Sequence, residues 1–159
     1  MSLTHTEHAA GGSHGGDRSW QLAASATLHC LTSCAIGEVL GMVLATWWGW
    51  GNAGSVALSV VLAFAFGYLL TFTSARRHVG AAQAVRLALA ADTVSILVME
   101  IADNGFMLLV PGALDATLSD GLFWASLAAS LAVAFVVTVP VNRWMIARGR
   151  GHAVVHSMH

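Results

Sequence analysis

The chain has 159 residues, of which 57% are hydrophobic and only 9% charged, with a net charge of −1 and a mean hydropathy of +0.71. A soluble domain carries about 25% charged residues, and all seven basic residues here are Arg. This composition excludes a nucleic-acid binder with a basic face, an ordinary cytosolic enzyme and a disordered tail protein, and it predicts an integral membrane protein.

Residues 1–18 are rich in Gly and His and lack an apolar core segment. They read as a disordered tail, with no cleaved signal peptide. No Asp, Glu, Arg or Lys occurs over the 37 residues from Val39 to Ala75, or over the 22 from Gly121 to Asn142. A spanning helix needs about 20 mostly apolar residues. The pattern predicts an all-α fold, an integral membrane bundle of four transmembrane helices at roughly 20–48, 53–74, 84–110 and 120–145. Residues 19–147 then form the membrane domain, and residues 148–159 a His-rich C-terminal tail. Long continuous apolar runs satisfy their backbone as helices, not as barrel strands.

Four spans put both termini and the central loop on one side. That side collects Arg18, Arg76, Arg77, Arg86, Arg143, Arg148 and Arg150, against only Asp115 and Asp120 opposite. The positive-inside rule therefore predicts cytoplasmic N- and C-termini. Trp20 at one edge and Trp47, Trp48 and Trp50 at the other fit interfacial belts.

Helix 1 carries His29, Cys30, Cys34 and Glu38, and helix 3 carries Asp92, Glu100, Asp103 and Asn104. An acidic residue at mid-bilayer costs about 2.5–3.5 kcal/mol on insertion scales, so these groups should face an interior or a wet cavity. Cys30, Cys34, Glu38 and Met42 are spaced by four, as are Asp92, Ile96, Glu100 and Asn104, so each set forms one helical stripe. Facing one another, the two stripes would make a column of thiol, imidazole and carboxylate groups, with Glu38 level with Glu100 and His29 level with Asp92. No Arg lies at that depth, although Arg86 and Arg143 could reach Asp92. Buried carboxylates without a partner stay protonated or hold a cation.

Blander roles fit each residue singly. Buried Cys packs as a small hydrophobe, and a membrane His or a protonated Glu pair can join helices. Ser33, Gly37, Gly41 and Ala45 form a small-residue ridge suited to close helix packing. In the tails, His5, His8 and His14, with His152, His156, Met158 and His159, could capture a transition metal or be incidental.

The segments Leu28-His29-Cys30-Leu31-Thr32-Ser33-Cys34-Ala35-Ile36-Gly37-Glu38, Ala91-Asp92-Thr93, Met99-Glu100-Ile101-Ala102-Asp103-Asn104, Pro111-Gly112, Phe123-Trp124, Pro140-Val141-Asn142-Arg143 and Gly149-Arg150-Gly151-His152 occur in this order. Together they resemble a bacterial membrane family, the domain of unknown function numbered four-three-nine-six, from about Trp20 to His152. The resemblance implies four membrane helices and says little about activity; copper-related labels on some members add slight weight to a metal role.

Four functions compete. The first is a copper-type metal-binding or transport protein, with Cu favoured over Zn or Fe. Its site would lie between helices 1 and 3, built from His29, Cys30, Cys34, Glu38, Asp92, Glu100 and Asp103. The second is a structural or assembly subunit, and the third a proton or cation pathway through the intramembrane carboxylates. The last is a thiol-redox enzyme, for which mid-bilayer cysteines four apart are poorly placed. No nucleotide loop, catalytic triad or dinucleotide fingerprint is present, so catalysis is not the expectation. The expected partners are the lipid bilayer, a metal or other cation and a second copy of the chain, with no nucleic acid.

Overall fold

A computed structural model describes residues 12–148, with side chains from Gly16 onward. Four helices follow one another: α1 (Gly12–Trp47), α2 (Asn52–Ala75), α3 (Ala81–Leu109) and α4 (Gly121–Ala147). No strand occurs among the described residues. The fold is all-α. α1 starts at Gly12, ahead of the expected residue 20, so residues 12–18 of the expected disordered tail are helical. Extending an existing helix costs far less than nucleating one, and neither Asp17 nor Arg18 breaks it. The other helix ends fall within three residues of their expected places.

Short connections set the topology. α1 ends in a Schellman motif: Trp50 N donates to Ala45 O at 2.9 Å and Gly49 N to Thr46 O at 3.2 Å. Gly49 adopts φ +70°, which a side chain would disfavour. The four-residue turn makes α1 and α2 antiparallel neighbours, and the chain continues up and down through α3 and α4. Neighbouring helices in sequence pack together and α4 closes on α1, while α1 and α3 meet only lightly across the diagonal. The two acidic helices therefore face one another through the bundle axis and do not form one extended interface.

α1 and α2 approach most closely. The buried residues of α2 are Ser55, Ser59, Ala63, Gly67, Thr71 and Ala75, one small side chain per turn. They meet Ser33, Gly37, Gly41 and Ala45 of α1, all buried. α4 buries a similar column, Ser126, Ser130, Ala134, Thr138 and Asn142. Asn142 Nδ2 donates to Thr27 Oγ1 at 2.8 Å and ties α4 to α1. Interhelical bonds of this kind in a membrane contribute about 0.6 kcal/mol on average and up to about 1.7 kcal/mol. Thr27→Val is expected to destabilise the protein within that range, read as a lower unfolding midpoint in a detergent–SDS titration.

The distribution of polarity is inverted relative to a water-soluble protein. Glu38, Asp92, Glu100, Asp103, Asn142 and many hydroxyls are buried, whereas Leu28, Ile36, Val61, Leu69, Leu97, Ile101 and Val136 face outward. Lipid as solvent produces that arrangement. α1, α2 and α4 are long and apolar enough to cross a membrane. α3 has the length, at 29 residues, but carries Arg86, Asp92, Glu100 and Asp103.

All six Trp lie toward the two ends of the bundle. At one end the Arg143 guanidinium stacks 4.1 Å from the Trp20 ring and Arg148 4.1 Å from Trp144. At the other end Trp48 and Trp50 sit with ring centroids 5.4 Å apart. Trp20 and Trp47 of α1 are separated by about 40 Å of helix rise, close to the thickness of a bilayer with its headgroups. In the α3–α4 loop, Asp120 Oδ2 accepts from Thr117 N at 2.7 Å and Thr117 Oγ1 at 2.8 Å, which holds its carboxyl below the usual carboxylate range.

Candidate functional site

Three acidic side chains converge inside the bundle. Glu38 of α1 and Asp103 of α3 lie beside one another, with Glu100 within electrostatic reach of both. All three are buried. Asn104 Nδ2 donates to Glu100 Oε2 at 3.2 Å and to Glu100 O at 3.0 Å. The Asp103 carboxylate adjoins the Ser130 hydroxyl of α4, and Ser59 Oγ of α2 donates to Glu38 O at 3.2 Å. All four helices thus contribute to one polar layer.

Hydrogen bonding in that layer is incomplete. Both carboxylate oxygens of Glu38, Oε1 of Glu100 and Oδ1 of Asp103 are buried without a partner among the described residues. The described arginines are placed elsewhere. Arg143 Nε donates to Ser19 Oγ at 3.3 Å, Arg148 stacks on Trp144, and Arg76, Arg77 and Arg86 are exposed. Three ionised carboxylates cannot stay so close in low dielectric, so protons or a bound cation must neutralise them.

A cavity reaches this layer. It is lined by Glu38, Asp103 and Asn104 at its base and by Asn52, Ala113 and Leu114 toward the end bearing the α1–α2 turn. Its volume of about 50 Å³ holds a few waters at about 10–15 Å³ each. At that end Asn52 Nδ2 donates to Asp115 Oδ1 at 2.8 Å, joining the start of α2 to the α3–α4 loop.

The remaining expected ligands divide. Cys30 and Cys34 are free thiols packed in an apolar cluster with Ala63, Ile96, Met99 and Ala134. The Cys34 thiol also lies beside Glu100. His29 is half-buried one residue before Cys30. Asp92 is buried two turns below Glu100. Glu38 stands beside Asp103 with Glu100 in reach, and the Cys34 thiol adjoins the same group of acids. Among the described residues, no group of three or more His, Cys, Asp and Glu side chains is arranged to hold a metal ion. His152, His156, Met158 and His159 lie outside the described residues, as do His5 and His8, and nothing is described of the His14 side chain.

The charge-free stretches of α2 and α4 give no sign, by charge, of Ser59, Ser130 and Thr138. A signal was available: their polar and small residues recur every fourth position, as the acidic stripes do.

Residues 19–151 match the family model described as "Domain of unknown function (DUF4396)", a stretch that includes all four helices from Ser19 onward and every polar layer described above. The chain belongs to this family. This DUF4396 member has a four-helix fold with an acidic interior. No curated protein and no solved structure matches the chain.

Proposed function

We propose that this DUF4396 protein crosses a bacterial inner membrane four times, with both termini in the cytoplasm, and provides a proton or small-cation pathway through its interior carboxylates. α3 is the fourth crossing: its acids point into the bundle while Val85, Leu89, Val94, Leu97, Ile101 and Leu108 form its outward face. All six described arginines belong to the end with the α2–α3 turn and the helix termini, which supports a cytoplasmic assignment for that end. One observation carries the reading. The cavity leads from the opposite end to Glu38 and Asp103, and both carboxylate oxygens of Glu38 and Oδ1 of Asp103 are buried without a hydrogen-bond partner among the described residues.

Vesicles of phosphatidylethanolamine and phosphatidylglycerol with an internal pH dye test this reading. Under a potassium diffusion potential set by valinomycin, protein-containing vesicles are expected to change internal pH faster than empty ones. Parallel vesicles with sodium- or zinc-sensitive dyes identify a different cation. Rates equal to empty vesicles for all three ions would sink the proposal.

A copper-type binding role is the second reading. It is favoured by the meeting of Cys30, Cys34 and Met99 in one core cluster, since thiolate and thioether donors suit Cu(I). The donors number two thiols and one thioether, and their apolar surroundings suit a soft ion better than a hard one. Stoichiometric copper in protein purified under reducing conditions, lost in Cys30→Ser/Cys34→Ser, is the expected result on this reading. Copper-free protein from copper-supplemented cells rejects it.

A further inference from the structure

The acidic layer and Asp92 belong to different halves of the bundle. Eight residues separate Asp92 from Glu100, about 12 Å along α3. No single hydrogen bond spans that gap, since donor and acceptor must lie within about 3 Å. Two hydroxyls occupy the interval. Ser95 lies three residues above Asp92 and five below Glu100. Thr138 shares its level, because Asp103 adjoins Ser130 across the antiparallel α3–α4 pair. Stepping eight residues along each helix from that contact brings Ser95 opposite Thr138.

These two hydroxyls differ from the other buried ones. Thr27 Oγ1 donates to Ala23 O at 2.8 Å, Ser33 Oγ to Cys30 O at 2.7 Å, and Ser130 Oγ to Leu127 O at 2.8 Å. Such bonds back to the preceding turn are the usual resolution for a hydroxyl in an apolar helix. Ser95 Oγ and Thr138 Oγ1 make none and have no hydrogen-bond partner among the described residues, although Ser95 is 2% and Thr138 0% exposed. Two orphaned hydroxyls at one level on adjacent helices call for a shared partner with both donor and acceptor capacity, which water supplies.

We infer that Ser95 and Thr138 together bind an internal water that bridges the Glu38–Glu100–Asp103 layer to Asp92. This deepens the pathway reading and rests on it for its functional meaning. The water and the Ser95 hydroxyl stand as intermediate hydrogen-bonding groups within the roughly 12 Å of helix rise that separates the Asp92 and Glu100 backbones. The ion carried is then a proton. A proton accepted by the water from the Asp92 side is matched by a different proton released toward Glu100, with the reverse exchange in the other direction. Each O–H bond broken is replaced by one formed, and after reorientation the water and both hydroxyls are unchanged. The titratable groups flanking this level are Asp92, Glu100, His29, Cys30 and Cys34.

X-ray radiolytic footprinting of the full chain in phospholipid nanodiscs tests the water directly, because ordered water yields hydroxyl radicals in place. Met99 is 1% exposed and one turn above Ser95, so its oxidation to the sulfoxide requires an internal source. Met107 lines the cavity and serves as the internal standard. Met99 labelling is expected in the wild type, lost in Ser95→Ala/Thr138→Val and retained in Ser95→Thr/Thr138→Ser, which keeps both hydroxyls. An unlabelled wild-type Met99 beside a labelled Met107 overturns the inference, and so does labelling that survives in the Ala/Val pair. Proton flux into vesicles separates the two claims. A labelled Met99 with flux no greater than in empty vesicles rejects the pathway and supports the water site. Flux that falls at least about tenfold in the Ala/Val pair, and returns in the Thr/Ser pair, supports both.

Discussion

Gly37→Ala and Gly41→Ala are each expected to destabilise the protein by about 1–3 kcal/mol, the usual cost of forcing extra atoms into a packed interior. A Cβ at Gly37 would fall on the Ala63 backbone and within 2.7 Å of the Leu62 carbonyl carbon. At Gly41 it would fall on Ser59 and within 2.7 Å of that residue's backbone nitrogen. Helix backbone cannot rotate aside as a side-chain tip can, so α1 and α2 would have to separate. In lipid, close packing and interhelical bonds hold helices together without a hydrophobic driving force, and separation forfeits that packing along the whole ridge. Gly105 supplies the contrast. Nothing lies within 4 Å of a Cβ there, and Gly105→Ala should stabilise α3 by up to about 0.5–1 kcal/mol. Reversible unfolding in mixed SDS and dodecyl maltoside micelles gives both signs. Equal stability for Gly37→Ala and wild type would contradict the packing described. Glu38 lies between the two glycines, and its carbonyl accepts from Ser59, so the same substitutions should displace the acidic layer.

Much of this organisation is legible in the sequence because lipid imposes few solutions. Charge-free runs located α2 and α4 within three residues at each end, and the spacing by four of Cys30, Cys34 and Glu38 identified the buried face of α1. The relative placement of α1 and α3 was not legible. Helical periodicity says which residues share a face, but it does not say whether that face meets a neighbour or the opposite helix of a square. Counting rise from the predicted helix starts puts Glu38 level with Glu100, which is within its electrostatic reach. The finer register of α3 comes from its packing on α2 and α4, which brings Asp103 beside Glu38 as well. Gly67 illustrates that control, since Ile96 of α3 fills the space where a Cβ would stand. The buried hydroxyls of α2, α3 and α4 are illegible for another reason. Ser and Thr cost little in an apolar helix when they bond to the preceding turn, so hydropathy alone passes over them, and only their partners in the fold distinguish Ser95 and Thr138 from Thr27 and Ser33.

Glu38→Gln and Asp103→Asn are expected to reduce proton flux by about 100-fold or more, the lower end of what a positioned proton donor or acceptor contributes. Each substitution keeps the shape of the side chain while removing its ability to bind and release a proton. Their effect on stability should be zero or favourable. The wild-type layer places three acidic groups together with several oxygens unpartnered among the described residues, and an amide brings two N–H donors toward those acceptor oxygens. This pairing of lost flux with retained or increased stability distinguishes a pathway from a purely structural layer. If the carboxylates served only to join helices, the same variants would unfold at lower SDS fractions and flux would be absent from the wild type. Glu100→Gln adds a graded case. Its Oε2 already accepts from Asn104 at 3.2 Å, and it stands between the cavity layer and Ser95. It is therefore expected to slow flux while leaving access from the cavity intact, read as unchanged modification of the remaining acids by a carbodiimide. Loss of that modification together with flux would mean that the layer had collapsed, and would remove Glu100 from the path.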